Sequence, residues 1–320
     1  MIPQLLPGLL VQGCQMLVVL AVAPLLTGLV RTIKARLMRR RGPSPLQPYR
    51  DLLRLLKKDA VLAENASWLF RVAPYLIFAA LWVGASLVPT FAAGLLFSWT
   101  ADVIAIVALL GSARFFLALA GLDVGTSFGG IGSSRELMIA SLAEPAMLMA
   151  VFTVSLLAGT TQLSSIAEFI LGPAVGVRVS LALALIAMMM VAIAENGRIP
   201  IDNPATHLEL TMVHEAMVLE YSGRHLAMIE LASSLKLVLY VSLIACIFTP
   251  WGMAIAGDGV RAYAFGALAY AAKLAVGALL LAIFETSIAK MRVFRVPDFL
   301  GAALMLGLLA TLLLFVSKSL

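Results

Sequence analysis

The chain has 320 residues, 62% of them hydrophobic and 12% charged, with a mean hydropathy of +1.02 and a formal net charge of +6. A soluble domain is about 45–50% apolar and about 25% charged, and a disordered chain needs low hydrophobicity with high charge, so both are excluded. Long apolar runs in place of alternating strands of about ten residues also exclude a membrane β-barrel. What remains is an all-α polytopic membrane protein, with 1–320 as a single membrane domain.

A spanning helix needs about 20 mostly apolar residues. In chain order such windows fall at about 5–30, 72–91, 101–122, 136–158, 178–194, 229–249, 263–284 and 298–317, which predicts about eight transmembrane helices. Proline, glycine or charge punctuates the joins, as at Pro89, Gly159, Pro173, Pro250-Trp251-Gly252 and Pro297. No basic residue precedes Arg31 and the first apolar run is too long for a secretory signal, so that run is predicted to stay as a span. No internal repeat is evident, which counts against a transporter built from two inverted halves.

Orientation follows from basic residues. With the N-terminus outside, 17 of the 23 Lys and Arg fall in the inner loops 31–71, 121–135, 195–228 and 285–297, against three outside. Both termini are therefore predicted outside. The +6 charge is then a topology signal and not a nucleic-acid footprint.

Residues 31–71 form a basic cytoplasmic loop. Pro43, Pro45 and Pro48 force a turn or extended path. Leu52, Leu53 and Leu56 then recur at helical spacing among Arg50, Arg54, Lys57 and Lys58, which predicts an amphipathic surface helix. Such a helix suits either anionic lipid or a soluble partner.

Residues 195–228 form a long acidic loop. Between 195 and 230 lie Glu195, Asp202, Glu209, Glu215, Glu220 and Glu230, with all three histidines, His207, His214 and His225. If 206–221 is helical, Glu209 and Glu220 share one face, and His207, Thr211 and His214 share another. A solvated loop is one reading. Interleaved apolar residues favour packing, and packed carboxylates beside imidazoles are what a proton relay needs. A metal site is not expected: His214-Glu215 lacks the second histidine of HExxH, position 218 being Val218. Cys14 and Cys246 lie in apolar runs with no ligand spacing around them.

Ionisable residues also fall at or within spans: Arg114, Glu136 beside Arg135, Glu144 before Pro145, Glu230, Lys236, Lys273 and Glu285. Each costs at least about 2.5–3.5 kcal/mol to insert. Several of them together suggest a hydrated path.

These residues carry a family resemblance. Glu195-Asn196-Gly197-Arg198-Ile199-Pro200-Ile201-Asp202 resembles the Glu-x-x-Arg-x-Pro-x-Asp signature of the membrane subunit shared by respiratory complex I, at its quinone chamber, and the group 4 membrane-bound nickel–iron hydrogenases. Glu220-Tyr221-Ser222-Gly223, Arg41-Gly42-Pro43, Leu46-Gln47, Asp51 and Lys57-Lys58-Asp59 are similar to further parts of that family's pattern. Of the three alternating carboxylates usual in complex I after the signature aspartate, the places here hold Ala205, His207 and Glu209. Arg114-Phe115-Phe116, Gly121-Leu122-Asp123, Ser134-Arg135-Glu136 and Glu144-Pro145 resemble the formate hydrogenlyase and hydrogenase-4 type. Thr206 to Met212, with His214-Glu215, resembles the energy-converting hydrogenase type.

The resemblance implies a non-catalytic coupling subunit in a prokaryotic cytoplasmic membrane. Its partners would be hydrogenase large and small subunits, an iron–sulfur subunit and antiporter-like membrane subunits. Iron–sulfur clusters and a nickel–iron centre would sit in those partners, with no cofactor bound by this chain. Docking would use Arg39, Arg40, Arg41, Gln47, Tyr49, Arg50 and Asp51. The proton relay would run over Glu144, Glu195, Asp202, His207, Glu209, His214, Glu215, Glu220, Glu230, Lys236 and Lys273, with Arg135, Glu136 and Arg198 as charge partners. The alternatives are a quinone-binding subunit of a complex I-like enzyme, against which the altered carboxylate run counts, and a stand-alone ion transporter.

Overall fold

The computed structural model describes residues 2–172, 178–202, 213–255, 257–292 and 295–319, leaving aside the side chains of 2–7 and 317–319. Among these, eleven α-helices follow one another: α1 (Ile2–Leu37), α2 (Gln47–Leu56), α3 (Trp68–Leu87), α4 (Val103–Asp123), α5 (Ser127–Ala158), α6 (Leu163–Leu171), α7 (Val179–Glu195), α8 (His214–Val218), α9 (Gly223–Phe248), α10 (Val260–Ser287) and α11 (Val296–Ser319). Seven of them are long and apolar enough to cross a membrane: α1, α3, α4, α5, α9, α10 and α11. The shorter apolar α7, of 17 residues, rises about 25 Å. These eight correspond to the eight windows read from sequence. The fourth runs longer than expected, because Thr126 caps α5 at Gly129 N (3.2 Å) and the helix begins at Ser127.

Side-chain size decides how the helices meet. Ala143, Ala146 and Ala150 of α5, Ala184 and Ala187 of α7, and Ala303 and Ala310 of α11 are all buried, and these three helices pack on one another. Small residues let helix backbones approach where no water drives association. α3 bridges α4 and α9, while α10 lies mainly against α1 and keeps Val260, Phe265, Leu268 and Leu280 exposed.

The connections sort to two ends. At one end, β1 (Ala92–Ala93) pairs in parallel with β2 (Ala254–Ile255), and Val103 N and Leu163 N donate to Thr161 O and Ala101 O. At the other end, Ser222 bonds Val61, Ser67 N donates to Asp123, and Met291 N donates to Pro200 O. The loops expected inside therefore share one end, and those expected outside share the opposite one.

The amphipathic helix of the first loop is α2. Pro48 occupies its first turn, where the lost N–H costs nothing. Leu46, Leu53 and Leu56 stay exposed, as on a helix meeting lipid. Tyr49 is held by a hydrogen bond from its hydroxyl to Ala21 O on α1, and burial raises its pKa. The loop ahead of α2 presses on α1: Thr32 donates to Pro43 O (3.0 Å), and a Cβ at Gly28 would stand 2.0 Å from Pro45 O. Gly28→Val is therefore expected to lift residues 42–58 off α1. Faster proteolysis of this segment in membranes would register the change, and an unaltered cleavage rate would contradict the contact.

The stretch 206–221 can be followed only from residue 213 onward. Residues 203–212, which include His207 and Glu209, lie outside the described residues. The described helix is α8, His214–Val218, and the chain turns at Leu219-Glu220. Tyr221 explains the break: its ring stacks on Phe70 at 3.9 Å and its hydroxyl donates to Phe70 O, so the chain bends inward toward α3.

Candidate functional site

Arg114, in the middle of α4, is buried at 5% exposure and gathers carboxylates from three directions. Its Nε lies 3.8 Å from Glu136, its Nη1 lies 3.1 Å from Glu144, and its Nη2 contacts Glu195. Glu195 also meets Lys236 Nζ of α9 at 3.1 Å. Helices α4, α5, α7 and α9 thus each supply at least one member. A lone arginine in hydrocarbon is costly, and the fold offsets that cost by surrounding it with acids from neighbouring helices.

Local structure sets these positions. Glu195 is the last residue of α7, so its backbone leaves the helix as its side chain turns inward. Glu136 and Arg135 are consecutive and point to different faces of α5. Glu136 turns to Arg114. Gly132 admits α8 beside α5: a Cβ there would lie 2.9 Å from Val213 O and from Met217 Cγ. That approach brings His214 to the edge of the cluster.

A cavity of about 50 Å³ joins these groups, lined by Arg114, Glu136, Glu195, Asp202, His214 and Lys236 together with apolar side chains. Arg114 Nε and Nη1 and both Glu195 oxygens are buried without a hydrogen bond of sound geometry among the described residues. Buried polar atoms around a space of this size suit a short file of waters.

A second set of charges lies nearer the end that carries the loops 31–71 and 285–297. Glu285 of α10 pairs with Lys34 of α1 at 2.9 Å and with Arg198 at 3.3 Å. Burial lowers the Arg198 pKa; Glu285 opposes this and Arg31 adds to it. Asp202 pairs with Lys290 at 3.2 Å and accepts from Val213 N. Because Asp202 also lines the cavity, the two sets adjoin.

Of the residues singled out from sequence, Glu136, Glu144, Glu195, Asp202, His214 and Lys236 come together here, with Arg198 one layer away. Glu144 differs from the rest: its side chain is 44% exposed, on the outer face of α5. Glu215 is half-buried beside the cluster, and Glu220 and Glu230 are exposed at the surface. Lys273 is half-buried near Cys246, on the far side of α9. Among the docking candidates, Arg39, Arg40, Arg41 and Arg50 are exposed, and Gln47 bonds Asp51 at 2.8 Å. The sequence reading left the partners of Arg114 and Glu285 open and gave Lys34 and Lys290 no role. It also passed over Tyr240, a buried residue within electrostatic reach of the Arg114 cluster. The available signal was the cost of a lone mid-span arginine, which demands acids nearby.

Fold and site together define a multi-pass helical membrane protein with a buried cluster of ionisable groups around a small cavity. The chain belongs to the NADH dehydrogenase (NADHdh) family, whose model matches residues 11–316. It is 35% identical to formate hydrogenlyase subunit 4 of Escherichia coli over 288 residues, which cover 88% of this chain and 91% of the relative. Hydrogenase-4 component C of E. coli is 36% identical over 75% of each chain. NADH-quinone oxidoreductase subunit 8 of Rhodothermus marinus is 31% identical over 68% of this chain and 66% of its own. The fold matches a chain of an archaeal membrane-bound sulfane sulfur reductase with a TM-score of 0.78 at 20% identity, covering 98% and 99% of the two chains.

Proposed function

We propose that this chain is the membrane anchor and coupling subunit of a nickel–iron hydrogenase or formate hydrogenlyase complex. In this reading it sits in a prokaryotic cytoplasmic membrane with both termini outside. Arg39, Arg40, Arg41, Tyr49 and Arg50, with the inner loop at 195–228, dock a soluble module that holds the iron–sulfur and nickel–iron centres. Charge changes at that interface pass from Asp202 and His214 to Glu195 and Lys236, then through Arg114 to Glu144. The outward face of Glu144 would deliver the proton to an antiporter-like membrane subunit.

The carrying observation is the cavity, which runs from Asp202 and His214 at the inner loop to Arg114 between the spans. A relay needs groups of both signs within a few ångströms and water between them. The altered carboxylate run, with Ala205 and His207 where complex I usually carries acids, counts against a quinone. No step is therefore routed through a quinone.

Gentle purification of the whole complex tests the reading. Co-purifying nickel with hydrogen evolution insensitive to quinone analogues is the expected result. Quinone reduction without nickel would favour a complex I-like subunit instead. A monomer that moves solute in liposomes would defeat both.

A further inference from the structure

Of the seven long spans, α10 is the one this fold packs least. Only 22% of the residues in its apolar window are buried, the lowest share among the seven, and its helical neighbours are mainly α1 and α9. Lys273 stands at its centre, half-buried. It makes no ion pair and no hydrogen bond among the described residues. Its nitrogen is nevertheless not sealed inside the fold, so a group from outside can reach it.

Depth decides what that group is. Arg261, exposed, stands near one end of α10, and Glu285, paired with Lys34 and Arg198, stands near the other. Lys273 lies midway between them, about 18 Å along the axis from each. The hydrocarbon core is about 30 Å thick, so this lysine sits close to the middle of the bilayer. Its four-carbon stem is too short to carry the ammonium to either headgroup layer. Lipid phosphates and soluble proteins stay at the surface, and neither brings an anion to this depth. Charges within a membrane pair with one another, and a carboxylate arrives at mid-depth only on another spanning helix.

The surface beside the lysine has room for such a helix. Val276 and Leu280 lie one and two turns further along the same face of α10, and they are 54% and 61% exposed. Leu279 and Ile283, next to them, are exposed as well. An apolar face alone would suit lipid chains. An unpaired ammonium in the middle of that face does not, since hydrocarbon offers it no partner.

We propose that the α10 face around Lys273 docks a spanning helix of another subunit, whose mid-depth aspartate or glutamate pairs with the Lys273 ammonium. Val276 and Leu280 pack against that helix on either side of the charge pair's next turns. This surface is separate from the Arg114 cluster and from the exposed side of Glu144, and it stands whether or not that cluster relays protons.

The test places a photoreactive phenylalanine analogue at Leu280, in the whole complex in its native membrane. The expected product is an adduct with another membrane subunit, in a span that carries an acid near its middle. Lys273→Leu should cut the yield of that adduct roughly tenfold, the scale of one interhelical polar contact, and Lys273→Arg should keep most of it. Lys273→Glu combined with a lysine in place of the partner's acid should restore it. Should the leucine variant fail to accumulate, the adduct formed with Lys273 intact decides. Adducts with lipid alone would mean a bare face and overturn the proposal. So would adducts with a second copy of this chain, with a soluble subunit or with a span lacking a mid-depth acid. A yield unchanged by Lys273→Leu would have the same consequence.

Discussion

Arg114→Gln is expected to be among the most destabilising single changes in this chain. The guanidinium uses three different nitrogens for three carboxylates, on Glu136, Glu144 and Glu195. Removing one partner of a buried ionic group costs about 3–5 kcal/mol, because the charges left behind remain out of water. Two of the three acids, Glu136 and Glu195, are themselves buried. Lys236 can compensate Glu195 alone. Arg114→Lys should restore little, since one ammonium nitrogen replaces a planar fork that reaches three ways. The measurements are the steady-state amount of assembled complex and its thermal midpoint in detergent. A glutamine variant as abundant and as heat-resistant as the wild type would remove Arg114 from its structural role.

Glu144→Gln is expected to behave in the opposite way. Its side chain is 44% exposed on the outer face of α5, and neutralising it takes a charge out of a costly environment. Arg114 keeps Glu136 and Glu195, so the loss of stability should be small. Redox turnover should stay near the wild-type rate, while proton movement per turnover should fall several-fold. The pairing of assays is decisive: hydrogen evolution, then acidification in sealed vesicles. Unchanged acidification would take Glu144 off the path, and equal losses in both assays would mean that it acts on the redox module. The two variants separate the holding of the cluster from its conduction.

Much of this molecule was legible before any coordinates. Apolar runs of about 20 residues give eight helices because hydrocarbon permits few other solutions. The amphipathic α2 was visible because leucine spacing and flanking arginines are local signals. Glu144 and Lys236 stood out because charge inside a span is expensive wherever it points, and Glu195 because it opens the acidic loop and its signature. Their partners were not legible. Arg114 and Glu195 are 81 positions apart and Lys34 and Glu285 are 251 apart, so only helix packing could place them together. The same ambiguity explains Glu230 and Lys273, which look equivalent to Lys236 in sequence. Packing leaves Glu230 at the surface and sets Lys273 on another side of α9.

The 251 positions between Lys34 and Glu285 also bear on how the protein is made. Chains emerge N-terminus first and assemble as they emerge. The cluster around Arg114 is chemically complete once Lys236 has been synthesised. Lys34 and Arg198, by contrast, wait for a carboxylate in the last eighth of the sequence. Until α10 inserts, Lys34 of α1 and Arg198 just after α7 hold unmatched cations against the membrane. A nascent chain stalled before residue 285 is thus marked as unfinished by its own electrostatics. The Glu285 pairs act as a latch that closes when the seventh span has arrived.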